Sequence, residues 1–416
     1  MSEDKESQAS TIGLHLAYLR AFVCVANRGG ATQAARALYR SQSGMTRAVR
    51  RLEHQLGEVL FERKCRGMKL TAVGRCVLPR AERVLGELRT IAWASPVNRR
   101  YAGAREDENI PAYLLNTRRL EVFAALARAR HMPTAARAVG VTQPAVSSVL
   151  NILEVGAGCR LFERNNSGLI PSDIGEFFTQ HIIRALHELR CMRDDIDALN
   201  GRLRGNVVVG ALPLARSSIL PDAAVRALKE CPGIRISTDE SPYESLLGAL
   251  RLGDIDFIVG ALRPDVDARE FIQQELISEG MVLVTRAGHP LADRAKVTLH
   301  DLGSVAWILP RDGTPARALI NGLFEQKNMA TPAPAVETAD LAVIRGVLRR
   351  SDMVAAVSAQ QLRAEIQSGE LMVLNIDMPG TSRSIGLMWR NGSAPSPAAL
   401  ILMSALRAVA MPGNAG

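Results

Sequence analysis

The sequence predicts an α+β multidomain fold, in which two copies of a small helical module precede a longer region of alternating strands and helices. Three observations support this prediction. A set of residues recurs at a constant offset of 101 positions, each copy has apolar residues at helical spacing, and from Gly205 onward short β-branched runs alternate with helical segments. The predicted segments are residues 14–95 for the first module with a short linker helix, 96–112 for a flexible linker, 113–172 for the second module, 173–204 for a long linker helix and 205–412 for the α/β domain.

The repeat organises the first half of the chain. The Leu-Arg-Ala-Phe that begins at Leu19 returns as Leu-Glu-Val-Phe at Leu120, and the same offset places Leu-Phe-Glu-Arg from Leu60 on the identical tetrapeptide from Leu161 without a gap. Because chance does not align so many residues at one offset, the module is duplicated.

Each copy has the spacing of a helix-turn-helix. In the first copy one helix carries Leu19 and Phe22, and a second is expected to be capped by Thr32. After a short turn a third helix follows, capped by Ser41 or Ser43. Two short helices joined in this way place the second helix in the DNA major groove. The same spacing also fits other compact three-helix domains. A hairpin that resembles a wing is predicted from residue 60 to residue 74.

The positive charge lies in the first quarter of the chain. Of a net charge of +9, residues 1–100 carry 18 Lys and Arg against 8 Asp and Glu, whereas residues 101–205 carry 13 against 12 and residues 206–416 carry 20 against 22. A basic domain joined to a near-neutral remainder is typical of nucleic-acid binding, although a protein with an uneven surface has the same balance.

Several classes of protein are disfavoured by what the sequence lacks. No apolar run reaches the length of a membrane span and no secretory signal begins the chain, so we expect a cytoplasmic protein without a membrane partner. The six cysteines include no C-x-x-C pair and the seven histidines form no cluster, which argues against a disulfide framework, a metal site or a metal cofactor. Because the P-loop, nucleophile-elbow, H-E-x-x-H and G-x-G-x-x-G motifs are all missing, we expect no enzymatic activity.

The order of A-A-x-x-L, S/T-Q-x-x-x-S/T, L-E, L-F-E-R and L-T-x-x-G resembles the LysR-type transcriptional regulators, and the segment Val-Thr-Gln-Pro-Ala-Val-Ser that ends at Ser147 fits especially closely. Members usually have one such module, so this chain is atypical. The resemblance implies dimerisation through the linker helix. It also implies that residues 205–412 form a two-lobed effector-binding domain like a periplasmic binding protein, with landmarks at His289, Asp301 and Trp307.

The residues expected to contact DNA lie on the third helix and the hairpin of each copy. In the first copy they are Gln42, Ser43, Thr46, Arg47, Arg50, Arg63 and Arg66. In the second copy they are Gln143, Pro144, Ser147, Ser148, Asn151 and Arg164. Arginine bonds bidentately to guanine and glutamine to adenine, while basic hairpin residues contact phosphates. Because the second set has less positive charge, and glycines near Val155 weaken the end of its helix, we expect the first copy to bind DNA more strongly.

The second linker helix carries a heptad seam. Eight apolar residues alternate at steps of four and three, namely Phe178, Ile182, Ala185, Leu189, Met192, Ile196, Leu199 and Leu203. This pattern predicts a helix from Asp173 to Leu203 that pairs with a partner helix in a homodimer or homotetramer, unless it packs onto its own domain. The first copy begins the same pattern, which stops near Ser95.

Small polar and basic residues follow the predicted strands of the α/β domain. They are Ser217, Ser218, Ser241, Arg311, Thr314 and Arg317. Ligands of open α/β sheets bind beyond the carboxyl ends of the strands, and helix N-termini favour anions, so these residues predict a site for a small carboxylate or phosphorylated metabolite. As an alternative, the serines cap helices and the arginines are solvated.

The sequence therefore predicts a sequence-specific DNA-binding transcriptional regulator that responds to a small-molecule effector. Its expected partners are double-stranded DNA, the effector and RNA polymerase, and its expected location is the nucleoid. Two alternatives remain open. In one, only the first module binds DNA and the second serves dimerisation. In the other, the two-lobed domain makes the chain a small-molecule-binding protein or an enzyme.

Overall fold

The computed structural model describes residues 13–64, 67–96, 110–165, 168–217 and 219–411. The chain forms two compact units, with the boundary at Gly205. The first unit holds both helical modules, and the second holds the α/β domain. Residues 97–109 of the predicted flexible linker, together with Arg66 and Ser218, lie outside the described residues.

The two modules have the same succession of elements. The first consists of α1 Leu16–Arg28, α2 Ala31–Ala37, α3 Gln42–Leu56, β1 Phe61–Lys64, β2 Gly67–Leu70 and α4 Ala72–Ala94. The second follows a short 3-10 turn, Ala112–Leu114, and consists of α5 Thr117–Ala129, α6 Met132–Val139, α7 Gln143–Ala157, β3 Phe162–Asn165, β4 Gly168–Pro171 and α8 Asp173–Leu199. In each module the two strands form an antiparallel hairpin, as a winged helix-turn-helix requires.

The repeat extends to individual hydrogen bonds. In the first module the Glu53 carboxylate accepts the backbone N–H of Leu60 at 2.9 Å, and in the second the Glu154 carboxylate accepts that of Leu161 at 2.8 Å. Each bond fixes the start of a hairpin to the end of the preceding helix. The recurring L-E and L-F-E-R motifs are thus explained by a shared contact between helix and hairpin.

The helix caps correct one detail of the sequence prediction and decide between two alternatives in another. The second helix begins at Ala31 with Gly30 as its N-cap, so Thr32 lies inside the helix and caps nothing. Of the two candidate serines, Ser41 caps α3, and its hydroxyl accepts the backbone N–H of Gly44 at 3.1 Å. Helix α3, the helix expected to enter the major groove and called here the first recognition helix, therefore begins at Gln42, as its counterpart α7, the second recognition helix, begins at Gln143.

The two linker helices, α4 and α8, pack against each other along their lengths. Arg80 contacts Asp195 and Glu87 contacts His181, so position numbers rise along one helix as they fall along the other, and the pair is antiparallel. The seam thus packs against a helix of the same chain, whereas the heptad pattern had favoured a partner helix from a second subunit. Six seam residues of α8 are buried, but α8 ends at Leu199 because Gly201 turns the chain in the left-handed region (φ +75°). Leu199 and Leu203 are half exposed.

Glycine does not shorten the second recognition helix. Helix α7 runs through Gly156 to Ala157 and has 15 residues, the same number as α3. Gly156 instead lies against an aromatic ring, because a Cβ atom at this position would lie 2.5 Å from the Tyr113 ring. Its place in the sequence is therefore explained by close packing with the segment that enters the second module.

We predict that Gly156→Ala destabilises the first unit. Alanine favours a helix interior over glycine by about 0.5–1 kcal/mol, but overpacking against Tyr113 costs about 1–3 kcal/mol, so the net change is a loss. Gly86→Ala in α4 is the control, since no atom lies within 4 Å of its added Cβ. Urea unfolding should show a lower midpoint for Gly156→Ala and an equal or higher one for Gly86→Ala. A gain of stability in both variants would contradict the packing role of Gly156.

The second unit is built from two lobes, each with a five-stranded sheet. The first lobe contains β5 Gly205–Ala211, α9 Pro213–Ser217, α10 Ile219–Glu230, β6 Ile234–Asp239, α11 Tyr243–Leu252, β7 Phe257–Ala261, β8 Phe271–Glu279, β14 Arg383–Arg390 and α15 Pro397–Ala410. The second contains β9 Val282–Arg286, β10 Trp307–Leu309, α12 Pro315–Glu325, β11 Pro334–Glu337, α13 Leu341–Leu348, β12 Val354–Val357, α14 Arg363–Gln367 and β13 Leu371–Val373. The strand orders are β6-β5-β7-β14-β8 and β11-β10-β12-β9-β13.

Both sheets are mixed, although strands that alternate with helices along a chain are typical of a parallel sheet. Strand β14 is antiparallel to β7 and β8, and β9 is antiparallel to β12 and β13. The cause lies in the connections. The chain passes from the first lobe to the second after β8 and returns after β13, and the returning strand β14 inserts against the direction of β7.

Candidate functional site

The first recognition helix presents one polar face. Gln42, Ser43, Arg47 and Arg50 are exposed, and Thr46 is half-buried, with its hydroxyl donating to the Gln42 carbonyl at 3.1 Å. The opposite face, which contains Met45, Val49 and Leu52, is buried in the core. Alternation of this kind holds a helix on its module while its polar face stays open to a partner.

The second recognition helix presents the corresponding face. Its exposed predicted residues are Gln143, Pro144, Ser147, Ser148 and Asn151. Val146, Leu150 and Leu153 are buried behind them. At the offset of 101, Ser148 stands where the first module has Arg47, and Asn151 stands where it has Arg50. The two faces therefore have the same placement but different chemistry.

Of the three hairpin arginines predicted to contact DNA, two lie among the described residues. Arg63 lies on β1 and Arg164 lies exposed on β3, while Arg66 falls outside the described residues. Within the described part of the chain, Arg47 and Arg50 form no ion pair. Cations that lack a protein partner are available to phosphates or base edges. The first module thus has unneutralised positive charge on its recognition helix, and the second has none at the matching positions.

In the α/β domain, the predicted effector residues of the first lobe lie beyond neighbouring strands. Ser217 follows β5 and Ser241 follows β6, and both are half-buried. Ser217 is the last residue of the short helix α9 and not the start of a helix. Its hydroxyl donates to the Leu214 carbonyl at 3.2 Å. The backbone N–H of Ser241 donates to the Asp239 carboxylate.

The predicted residues of the second lobe have structural roles that the sequence left open. Thr314 caps α12 and its hydroxyl also donates to the Arg311 carbonyl at 2.7 Å. The guanidinium of Arg317 donates to Asn321 and to the Pro310 carbonyl and lies 3.6 Å from Glu337. Its side chain is 12% exposed. Of the two predicted arginines of this lobe, Arg311 is the exposed one.

A group that the sequence analysis missed lies where the chain crosses between lobes. Arg383 begins β14 and pairs in register with Glu279, the last residue of β8, and the buried hydroxyl of Ser358 donates to the Glu279 carboxylate. Burial lowers the pKa of Arg383, and the nearby charge of Glu279 opposes this effect. Its Nε atom has no partner among the described residues. Arg383 lies at the same sheet edge as the end of β7, where Leu262 donates to the Ser384 carbonyl.

The described residues contain no group of three or more His, Cys, Asp or Glu side chains that is arranged to hold a metal ion. Among them, no single helix has the length and apolar character to cross a membrane, and α6 with α7 passes such a test only as a pair bent by 102°.

The family model described as "Bacterial regulatory helix-turn-helix protein, lysR family" matches the chain twice, at residues 16–75 and 117–176. The model described as "LysR substrate binding domain" matches residues 200–411. The HTH-type transcriptional regulator GalR of Pseudomonas putida is 48% identical over 395 residues, which cover 95% of this chain and 97% of that protein.

Two solved structures show the same fold. Full-length OxyR from Pseudomonas aeruginosa, as a variant, has a TM-score of 0.54 and 21% identity over 70% of this chain and 94% of its own. Full-length CbnR complexed with its target DNA has a TM-score of 0.51 and 21% identity over 71% of this chain and 99% of its own. The predicted architecture, with helix-turn-helix modules ahead of a two-lobed α/β domain, is confirmed.

Proposed function

Because the chain belongs to the LysR family of transcriptional regulators, with a DNA-binding region and an effector-binding domain, we propose that both of its helix-turn-helix modules contact double-stranded DNA. The observation that supports this proposal is the pair of recognition helices. Each has its apolar side in the core and its polar side exposed, at positions that differ by the repeat offset.

The modules are proposed to contribute differently to affinity. Arg47 and Arg50 bring positive charge to the first recognition helix, where the second has Ser148 and Asn151. Phosphate neutralisation supplies most sequence-independent affinity and makes it salt-dependent. The first module should therefore supply most of the salt-dependent binding, whereas the second reads base edges through hydrogen bonds.

Footprinting tests this proposal against the alternative in which only the first module binds DNA. If both modules bind, the chain protects two segments of a promoter, and Asn151→Ala weakens protection of one segment only. If the protected length equals that of a single-module relative and Asn151→Ala changes nothing, the second module serves pairing and not recognition.

For the effector we propose a small anion bound beyond the strands of the first lobe, near Ser217, Ser241 and Arg383. Arg383 is the reason for proposing an anionic ligand. Its guanidinium is half-buried and its Nε has no partner among the described residues, so a carboxylate or phosphate would form strong charge-assisted hydrogen bonds with it. Arg311 of the second lobe is a further candidate. Effector binding would then change transcription through the packing of lobes or subunits, with RNA polymerase as the proposed final partner, at the nucleoid of the cytoplasm. Family members form oligomers, and we propose a homo-oligomer here.

Arg383→Gln is predicted to abolish the response to such an effector. A panel of small carboxylates and phosphorylated metabolites is screened by thermal unfolding, in which a ligand at 100 times its Kd adds about 2.7 kcal/mol of stability. We expect the stabilisation to be lost in Arg383→Gln and retained in Arg311→Gln. Equal stabilisation of Arg383→Gln and the unsubstituted chain would place the ligand elsewhere.

A further inference from the structure

We infer that one chain supplies a complete paired DNA-binding unit, in which the two modules form an intramolecular pseudo-dimer, and that its DNA partner is a duplex with two unlike half-sites in a fixed order. The statement about DNA rests on the proposed function, namely that both modules contact DNA. The statement about pairing does not.

The ion pairs between α4 and α8 are related by two-fold pseudo-symmetry. Arg80 Nη1 lies 3.0 Å from Glu188 Oε2, and His181 Nδ1 lies 2.5 Å from Glu87 Oε2. Adding the repeat offset to position 80 gives position 181, and adding it to position 87 gives position 188. The pair of positions 80 and 188 is therefore equivalent to the pair of positions 181 and 87 when the two modules are exchanged. Residue i of one copy contacts residue j of the other and the reverse, which is the defining pattern of an isologous two-fold interface.

The first of these pairs is nearly removed from solvent. The side chains of Arg80 and Glu188 are 3% and 2% exposed, and Arg80 Nε also donates to Asp195 at 2.8 Å. Burial lowers the pKa of Arg80, but the hydrogen bond to Asp195 and the neighbouring negative charges outweigh it, so the pKa is raised and the charge is kept. Charges buried in a helix interface fix its register, because any other register leaves them unpaired.

The modules also share one hydrophobic core and several polar contacts. Buried side chains from Leu14 to Ile196 form a single apolar cluster that includes α1 and α5. Ser95 Oγ donates to the Ala157 carbonyl at 2.7 Å, and Asn200 donates to Glu58 at 2.7 Å. Six of the eight seam residues are therefore covered within the chain.

The two half-sites must differ because the two reading faces differ. A homodimer of single-module chains presents two identical helices and therefore matches a palindrome. Here Arg47 faces one half-site and Ser148 occupies its place in the other. Arginine selects guanine through a bidentate pair, which serine cannot form. The chain is thus fitted to a non-palindromic site, and its orientation on that site is determined.

Isotope-resolved cross-linking tests the pairing. Glu87→Cys and His181→Cys are combined in the full chain, and equal amounts of ¹⁵N-labelled and unlabelled protein are unfolded and refolded together. A short bis-maleimide then joins positions 87 and 181, and the joined peptides are weighed by mass spectrometry. We expect both halves of each peptide to carry the same label. If pairing occurs between chains, roughly half of the peptides are mixed, and the inference is overturned.

A second, solvent-exposed pair protects this test against a failure to fold. Glu58→Cys with Asn200→Cys joins the modules at another contact, and the same labelling rule applies. Agreement of the two pairs on one label per peptide supports the pseudo-dimer. Mixed peptides from either pair in refolded, compact protein count against it.

The DNA statement is tested on the footprinted operator and on two palindromes made by duplicating its left or right half. We expect the natural duplex to bind at least about tenfold more tightly than either palindrome, since one half is mismatched in each. Equal binding of a palindrome would overturn the asymmetric site. Arg47→Ala should alter one half and Asn151→Ala the other. If only the Arg47 half responds, the proposed function fails while the cross-linking result stands by itself.

Discussion

Arg47→Ala should lower the affinity for the operator by about 1–3 kcal/mol and relax base preference at one position in one half-site. Arg47 is exposed on α3 and has no ion-pair partner among the described residues, so its guanidinium is available to a guanine edge. Truncation removes that bidentate contact without disturbing the core. Gel-shift titration on the operator, with substitutions at each base pair, measures both the affinity and the preference.

The second module supplies the matched control for this variant. Ser148→Ala changes the equivalent position of α7, where a neutral hydroxyl contributes about 0.5–1.5 kcal/mol. Its effect should be smaller, should fall in the other half-site and should leave the salt dependence of binding unchanged, whereas Arg47→Ala should reduce that dependence. Equal, sequence-independent losses in both variants would mean that α3 and α7 do not read bases.

The sequence predicted most of the first unit because its local signals agree with its packing. The repeat, the helix spacing and the serine cap at Ser41 all depend on contacts between neighbours along the chain. The error at Thr32 has the same local origin, since the N-cap of α2 is Gly30, two residues earlier in the chain. The partner of the heptad seam was not predictable from spacing, because a heptad pattern specifies a partner helix but not the chain that provides it.

In the α/β domain, local sequence patterns did not predict the contacts between residues that are distant in sequence. Strands β8 and β14 adjoin each other but lie about a hundred residues apart in sequence, and the polar residues of β8 obscure its alternation. Because β14 was not predicted, Arg383 could not be placed at the sheet edge where β7 ends. Arg317 was predicted as a ligand from its position after a strand, and its contact with Glu337 at the end of β11 could not be foreseen because tertiary folding sets it.

Arg80→Ala should destabilise the first unit by about 3 kcal/mol or more. Removing one member of a buried charge network leaves the other charges buried without a partner, at a cost of about 3–5 kcal/mol. Arg83, whose Nε lies 2.9 Å from Glu188, would still pair with that carboxylate, so the loss of stability is expected near the lower value. The matched control is His181→Ala, which changes the pseudo-symmetric position. Its pair is more exposed, at 12% and 22%, so a smaller loss is expected. Urea unfolding of both variants measures the difference.

The effect of Arg80→Ala on DNA binding distinguishes modules that share one core from modules that fold independently. Arg80 lies on the linker helix and not on the recognition face, so its loss acts on DNA only through the packing of α4 with α8. Since both modules belong to one apolar cluster, Arg80→Ala should unfold them in one transition and weaken protection of both half-sites together. Two separate unfolding transitions, or loss of protection in the first half-site alone, would show that the modules fold independently. The packing of α4 with α8 would then not be what holds the two modules together.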